Sequence, residues 1–177
     1  CLLPNFQDQS SEIKVKLLDW MRKNLDSMVS EDENLTEQLK DIPLIVCDDS
    51  KLRKPVEVYI PYQREEIDEL MGDRYGYPDM DLFKKPKKSW MKFFSNIGMN
   101  QEPNPSHLVL EIDDIVQDEE RDSVEKINKL KKISTFLYTN WSSFKERMVE
   151  EESRSLKEIL SERNWIPNLT EAPSGFP

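Results

Sequence analysis

The residues of this sequence that could do chemistry are few and far apart. His107 is the only histidine, and its Pro-Ser-His setting is typical of a solvated or helix-start side chain rather than a general base. Cys1 and Cys47 are too isolated to form a disulfide framework or a zinc site. Cys47 lies in an apolar run, which predicts a buried, inert thiol. We therefore expect no catalytic residue, no cofactor, no metal and no enzyme activity.

Composition and charge narrow the classes of partner. The 177 residues are 37% hydrophobic and 34% charged, with a net charge of −10 and only four glycines. An acidic chain repels nucleic-acid phosphates and anionic membrane surfaces, and no apolar run approaches the ~20 residues of a transmembrane helix. Free thiols fit a reducing compartment. These features predict an intracellular protein, cytoplasmic or nuclear, with protein partners and no membrane.

A lysine cluster is the first feature that stands out from this background. It comprises Lys84, Lys85, Lys87, Lys88 and Lys92. Such a cationic island could hold an acidic partner, a nucleic-acid backbone or an import receptor. It could equally be a solvated loop beside a buried helix, or dock onto the chain's own acidic segment at 111–122. The net charge of the whole chain therefore disfavours nucleic acid as a partner, but the lysine cluster leaves this partner open.

A 4-3-4 spacing of apolar residues is the second feature. The seam, as we call it, consists of Leu137, Trp141, Phe144 and Met148. This spacing favours helix packing, either inside the protein or against a partner. Ile127, Leu130 and Ile133 precede the seam in the same apolar set, and Ile159 and Leu160 extend it. We predict a helix or helix pair of about forty residues from Val124 onward.

The elements that must position these residues follow from periodicity and capping. Helices are predicted at 11–28, from a Ser30–Glu33 capping box to about Lys40, at 64–71, at 89–98 and at 108–116. A hairpin is predicted over 43–60, with strands at 43–47 and 56–60. The fold class is then α+β, predominantly helical, with a small hairpin packed on helices and a long C-terminal helix or helix pair.

The predicted organisation has three parts. Residues 1–100 form a helical and hairpin unit, 101–122 a linker and acidic segment, and 123–177 a long helical segment with the start of a possible next unit. The stretches 35–43 and 159–167 each end a helix in Ile-Pro, which is a faint internal echo. The opening Cys1-Leu2-Leu3-Pro4 predicts a fragment of a longer, multidomain chain.

Several motifs resemble those of sacsin and sacsin-like giant proteins, which carry an Hsp90-type ATPase domain elsewhere. They are Leu39-Lys40-Asp41-Ile42-Pro43-Leu44-Ile45, Lys51-Leu52-Arg53-Lys54-Pro55 with Val58-Tyr59, the set Trp90, Phe93, Phe94, Ile97 and Gly98, and Trp165-Ile166-Pro167. The turn Asp48-Asp49-Ser50 lacks the glycine of the family pattern. The resemblance implies a non-catalytic, interaction-bearing segment of a chaperone-like protein, and it brings no active-site residues.

Three functions remain open at this point. The first is a structural and protein-interaction module, or scaffold, of a larger chaperone-like protein. The second is a module that binds nucleic acid or an acidic partner through the lysine cluster at 84–92. The third is an accessory subunit of an enzyme, without activity of its own.

Overall fold

A computed structural model of the chain describes residues 6–72, 74–83, 87–149 and 152–163. Helices dominate, and two small antiparallel hairpins complete the fold, so the predicted fold class is confirmed. The elements in chain order are α1 (Ser11–Glu31), α2 (Leu35–Lys40), β1 (Ile45–Val46), β2 (Leu52–Arg53), α3 (Arg64–Leu70), α4 (Lys87–Asn96), α5 (Pro105–Gln117), α6 (Ser123–Phe144), β3 (Met148–Val149), β4 (Arg154–Ser155) and α7 (Leu156–Glu162).

The chain divides into two compact units. Unit 1 comprises Cys1–Arg64 and Asp73–Glu102, and unit 2 comprises Glu65–Gly72 and Pro103–Pro177. The segment Glu65–Gly72 belongs to unit 2 because its end is bound there. The Gly72 N–H donates to the Glu111 carboxylate at 3.0 Å, and the Lys129 ammonium donates to the carbonyls of Glu69 and Met71, each at 3.0 Å.

Unit 1 is built around the first helix and the aromatic helix α4. Leu18, Met21 and Leu25 of α1 recur every three or four residues and are buried, as an amphipathic helix requires. The predicted capping box at Ser30 is wrong. The Ser30 hydroxyl donates to the Ser27 carbonyl, and α1 continues to Glu31, so no helix begins there.

The predicted hairpin is confirmed in its first strand and wrong in its second. β1 pairs antiparallel with β2, with Ile45 opposite Arg53. The return strand therefore lies at 52–53 rather than 56–60. Pro55 ends it, since proline lacks a backbone donor, and opens a short 3-10 turn at Pro55–Glu57.

The segment after this turn crosses to other parts of unit 1. Val58 bridges Gly76, and Tyr59 bridges Asn100, both in parallel. The Asn100 side-chain amide also donates to the Val56 carbonyl at 2.7 Å. Val58, Tyr59 and Ile60 are therefore buried, as a strand of the hairpin would have been, but their partners are distant in sequence.

Helix α4 confirms the prediction for 89–98. Trp90, Phe93 and Phe94 face the core of unit 1, and Ile97 is fully buried. The helix ends in the Schellman arrangement, in which the Met99 N–H donates to the Phe94 carbonyl at 3.0 Å. Gly98 makes this possible because its φ is +91°, a conformation that costs other residues energy.

The second segment of unit 2, Pro103–Pro177, opens with a buried helix. α5 starts at Pro105 and is capped by the Asn104 side chain, which accepts from the Ser106 N–H. The helix predicted at 108–116 is confirmed, but it extends further in both directions. His107 lies in its first turn and is buried, so the helix-start expectation holds and the solvated one does not.

Of the predicted C-terminal helix or helix pair, the structure shows a pair, α6 and α7. α6 begins after Asp122, whose side chain accepts from the Val124 and Glu125 N–H groups, and it ends at Phe144. A hairpin, β3 paired with β4, then separates it from α7, which opens with a Ser155–Glu158 capping box. Ser153 adopts a φ of +52° in the hairpin turn. The proposed next-unit entry at 165–167 lies outside the described residues.

Replacing Gly98 by alanine tests the Schellman ending. Gly98→Ala should lower the free energy of unfolding by about 1–2 kcal/mol, because alanine is strained at this φ. The new Cβ would also lie 2.6 Å from Cγ of Lys40. Urea unfolding measures the difference. Asn96→Ala, at the exposed last residue of α4, is the control, with an expected change within about 0.5 kcal/mol; equal effects of both substitutions would contradict the argument.

Candidate functional site

The structure describes three of the five residues of the lysine cluster. Lys84 and Lys85 lie outside the described residues. Lys87, Lys88 and Lys92 lie on α4 and are exposed. None of these three forms an ion pair with another residue that the structure describes. They are presented on the side of α4 away from its buried aromatic face.

The aromatic face of α4 fixes the direction of these lysines. The Trp90 ring packs on Phe83, with ring centroids 4.9 Å apart. The Arg22 guanidinium of α1 lies 5.1 Å from the Trp90 centroid and donates to the Ser89 hydroxyl. An Asp19 carboxylate 2.7 Å from Arg22 holds that guanidinium in place. Rotation of α4 would therefore break a packed and hydrogen-bonded face.

The described lysines are placed unfavourably for the helix itself. Lys87 and Lys88 stand in the first turn of α4, where the helix dipole disfavours positive charge by about 0.3–1 kcal/mol per residue. Lys88 and Lys92 are four positions apart, so the like charges repel each other. Stability of α4 does not account for these residue types.

The seam residues are divided between the core and the surface. Leu137 and Phe144 are buried, at 0% and 3% exposure, so they pack inside unit 2 and offer no surface to a partner. The core alternative therefore holds for these two. Trp141 is half-buried. Met148 lies on β3, not on the helix, and is exposed.

A different row of residues, exposed or half-buried, runs along α6 and ends at the Lys145 that follows it. We call it the α6 stripe, and its members are Val124, Ile127, Lys131, Ser134, Tyr138, Trp141 and Lys145. They are separated alternately by three and four positions, so they lie along one side of the helix. Val124, Ile127 and Tyr138 are 64%, 41% and 55% exposed. Ile127 therefore differs from Leu130 and Ile133 of the same apolar set, which are buried.

Sequence reasoning missed the stripe because polar residues interrupt it. Lys131 and Ser134 stand between its apolar members, while the buried set at 130, 133, 137 and 144 is more continuous. A signal was nevertheless present, because Val124, Ile127, Tyr138 and Trp141 fit one 3-4 pattern. Two interleaved patterns on one helix indicate two faces.

The buried face of α6 holds the stripe outward. Leu130, Ile133 and Leu137 are buried, and α6 packs on α5, whose Leu108, Ile112 and Ile115 are fully buried. Between these rows, polar groups fix the position of the helix. The Lys129 ammonium that caps the Glu69 and Met71 carbonyls lies 3.9 Å from the Glu111 carboxylate.

The Glu111 carboxyl is the buried ionisable group of this arrangement. Burial raises its pKa, while the Lys129 ammonium and the Gly72 N–H act in the opposite direction. Gly72 allows the close approach, because a Cβ there would lie 2.9 Å from Oε2 of Glu111. The buried Glu111 carboxyl is therefore a structural group, and its partners connect α5, α6 and the end of α3.

An open groove of about 380 Å³ runs beside α6. Leu70 and Phe136 line it, together with Glu66, Glu69, Lys131 and Lys132. Lys132 and Glu69 are 3.6 Å apart across it, so charges of both signs meet there. The groove does not have the enclosed apolar lining of a small-molecule site.

Cys47 in unit 1 is confirmed as a buried thiol. It is 0% exposed, and desolvation raises its pKa to about 11, so the nucleophilic thiolate is suppressed. Arg53 beside it is bound by Asp49 at 2.7 Å and donates to the Arg74 carbonyl. Among the described residues, no three His, Cys, Asp or Glu side chains converge as a metal site would need.

The Asp49–Arg53 pair predicts a pH dependence of stability. The hydrogen bond from Arg53, and then the Lys51 N–H, lower the pKa of Asp49 from 3.8 to about 2. Stability from a depressed carboxyl is present above the unfolded pKa and lost as pH falls through the folded one. It should thus be complete above about pH 4 and disappear as the pH approaches 2.

Asp49→Asn should therefore lower the free energy of unfolding at pH 7, and the gap to the unmodified chain should narrow between pH 4 and 2. Denaturant unfolding at a series of pH values measures it. Asp26→Asn, at an exposed carboxylate of α1, is the control for removing one negative charge. A gap that stays constant down to pH 2 would show that the pair does not stabilise unit 1.

Among the residues that the structure describes, no helix has the length and apolar character needed to cross a membrane.

Comparison with known proteins does not narrow the function of this chain. The resemblance to sacsin-like proteins stays a prediction. Searches of protein-family models, curated proteins and solved structures found no match for this chain.

Proposed function

We propose that this chain is a protein-interaction module that docks a partner along the α6 stripe, as a structural segment of a larger chaperone-like protein. The observation that carries the proposal is the exposure of Val124, Ile127 and Tyr138 in a row that runs beside the buried side of the same helix. Large apolar side chains at regular helical spacing are unfavourable in water. A partner that covers them would remove that cost.

The chemistry of the stripe supports binding rather than accidental exposure. Single exposed hydrophobic residues are normal on any protein, but these follow one line with Trp141 at its end. Tyrosine and tryptophan are enriched where interfaces concentrate their binding energy. Their rings bury a large area and keep a polar edge, which suits a surface that is solvated when free.

The partner is expected in the cytoplasm or nucleus, and the rest of the parent chain is one candidate. Docking within a parent chain needs little affinity, because a covalent link raises the effective concentration. In that case the stripe binds another segment of the same parent chain. Docking to a separate protein uses the same surface with a higher affinity.

Site-specific crosslinking tests the proposal. A photoreactive benzoylphenylalanine at position 138, in the parent protein expressed in its own cells, should crosslink to a defined peptide because Tyr138 lies within the interface. Mass spectrometry identifies that peptide. The same group at Glu33, an exposed position of unit 1, should not capture it.

Adding Ile127→Glu should abolish the crosslink from position 138, since a buried unpaired charge disfavours docking. The substitution should leave stability within about 0.5 kcal/mol, because residue 127 is exposed. Equal labelling from positions 33 and 138, or a crosslink that survives Ile127→Glu, would refute docking along the stripe.

A second function is supported by the unpaired lysines of α4. Because Lys87, Lys88 and Lys92 oppose the helix dipole and each other, an anionic partner would relieve both effects. An acidic protein segment suits a chain of net charge −10 better than nucleic acid, whose binding needs extended cationic neutralisation. The full cluster from Lys84 to Lys92 would form this surface.

The triple substitution Lys87→Glu, Lys88→Glu and Lys92→Glu separates the two effects. Unit 1 should become more stable by about 0.3–1 kcal/mol, because acidic residues suit the first turn, while retention on an immobilised polyglutamate or nucleic-acid matrix at low salt should fall. Thermal unfolding and salt-gradient elution measure these. Unchanged retention would remove the second function. Lys88→Glu alone and Lys16→Glu alone change net charge equally at exposed positions, and an equal loss of retention in these two would also contradict it.

A further inference from the structure

We infer that the partner of the α6 stripe is an acidic amphipathic helix. The inference rests on the proposed function and adds the chemical class of the partner to it. Two features of the stripe support it: the spacing of its members, which suits a helix, and its charge, which is entirely positive.

The spacing fits a helix that lies along α6. The alternation of three and four positions from Val124 to Lys145 is the repeat by which two helices pack side by side. The stripe spans 21 positions, which at 1.5 Å each is about 30 Å. A partner helix of six turns would cover it, whereas an extended strand would match neither the spacing nor the curvature of the helix surface.

The charge of the stripe selects an acidic helix. Lys131 and Lys145 are its charged members, and neither forms an ion pair with another described residue. The positions one turn further along, Asn128, Thr135 and Ser142, are exposed and uncharged. Across Ser123–Phe144, four lysines stand against one glutamate, a balance of +3, in a chain of net charge −10.

Two other lysines of α6 have partners within the structure. Lys129 caps the Glu69 and Met71 carbonyls, and Lys132 faces Glu69 at 3.6 Å. Glu125 lies off the stripe and pairs with Arg121 at 3.6 Å. Lys126 is half-buried and lies off the stripe. Lys131 and Lys145 are thus the cations that the stripe itself offers to a partner.

A second copy of this chain fits the stripe less well. Two stripes packed together would bring four lysines into one interface without a carboxylate, and uncompensated like charges oppose association. A partner helix with apolar residues at 3-4 spacing and glutamates beside them would cover Ile127 and Tyr138 and pair with both lysines.

A pair of designed peptides tests the class of partner. The first is a 22-residue helix with leucines at alternating three and four positions and glutamates beside them; the second carries lysines in place of the glutamates. Fluorescence anisotropy against the full chain should show the glutamate peptide binding at least about tenfold more tightly than the lysine peptide, which corresponds to about 1.4 kcal/mol. Its affinity should fall with salt.

Charge reversal on the protein completes the test. Lys131→Glu with Lys145→Glu should weaken the glutamate peptide at least about tenfold, because both pairs become repulsive. Lys16→Glu with Lys157→Glu changes net charge equally at exposed positions outside the stripe, and it should weaken binding less than about twofold. Circular dichroism confirms that each variant is folded.

The outcomes separate this inference from the proposed function. Equal binding of the two peptides, or equal loss in the two double variants, overturns the acidic helix. So does sedimentation showing that the chain self-associates and that Tyr138→Glu abolishes the association, because a second copy then covers the stripe. If position 138 still crosslinks to a partner in cells after such a result, the interaction function stands and only the class of partner fails.

Discussion

The packing of α6 on α5 is the contact on which the candidate site depends. It uses one side of α6, where Leu130, Ile133 and Leu137 are buried, and α5 supplies a largely apolar surface in return. Burial of a leucine or isoleucine contributes about 1.5–3 kcal/mol, so this row fixes the rotation of α6 about its axis. Once that rotation is fixed, Val124, Ile127 and Tyr138 of the stripe remain exposed.

Polar groups then remove the remaining freedom of the helix. The Asp122 cap sets where α6 begins, and Lys129 connects its middle to the end of the α3 segment. Glu111 is held against Gly72 and near Lys129. A buried Glu111 carboxylate without such partners would be strongly destabilising. Its contacts with Gly72 and Lys129 therefore favour one arrangement of α5 and α6.

The distribution of charge distinguishes ion-paired side chains from unpaired ones. Asp19 with Arg22, and Asp49 with Arg53, are close pairs that hold unit 1 together. The lysines of α4 and of the α6 stripe have no comparable partners among the described residues. This contrast between paired and unpaired cations in an acidic chain is the basis on which both surfaces are proposed to bind a partner.

Local sequence determined most of the helices, the first strand and two of the helix ends. The periodicity of α1, the aromatic face and Gly98 ending of α4, and the Asp122 cap of α6 all depend on residues a few positions apart, so they could be predicted. The partners of 56–60 could not, because Gly76 and Asn100 are distant in sequence. Only the tertiary structure decided which of the two apolar rows of α6 is buried, since both have helical spacing and α5 has room for one.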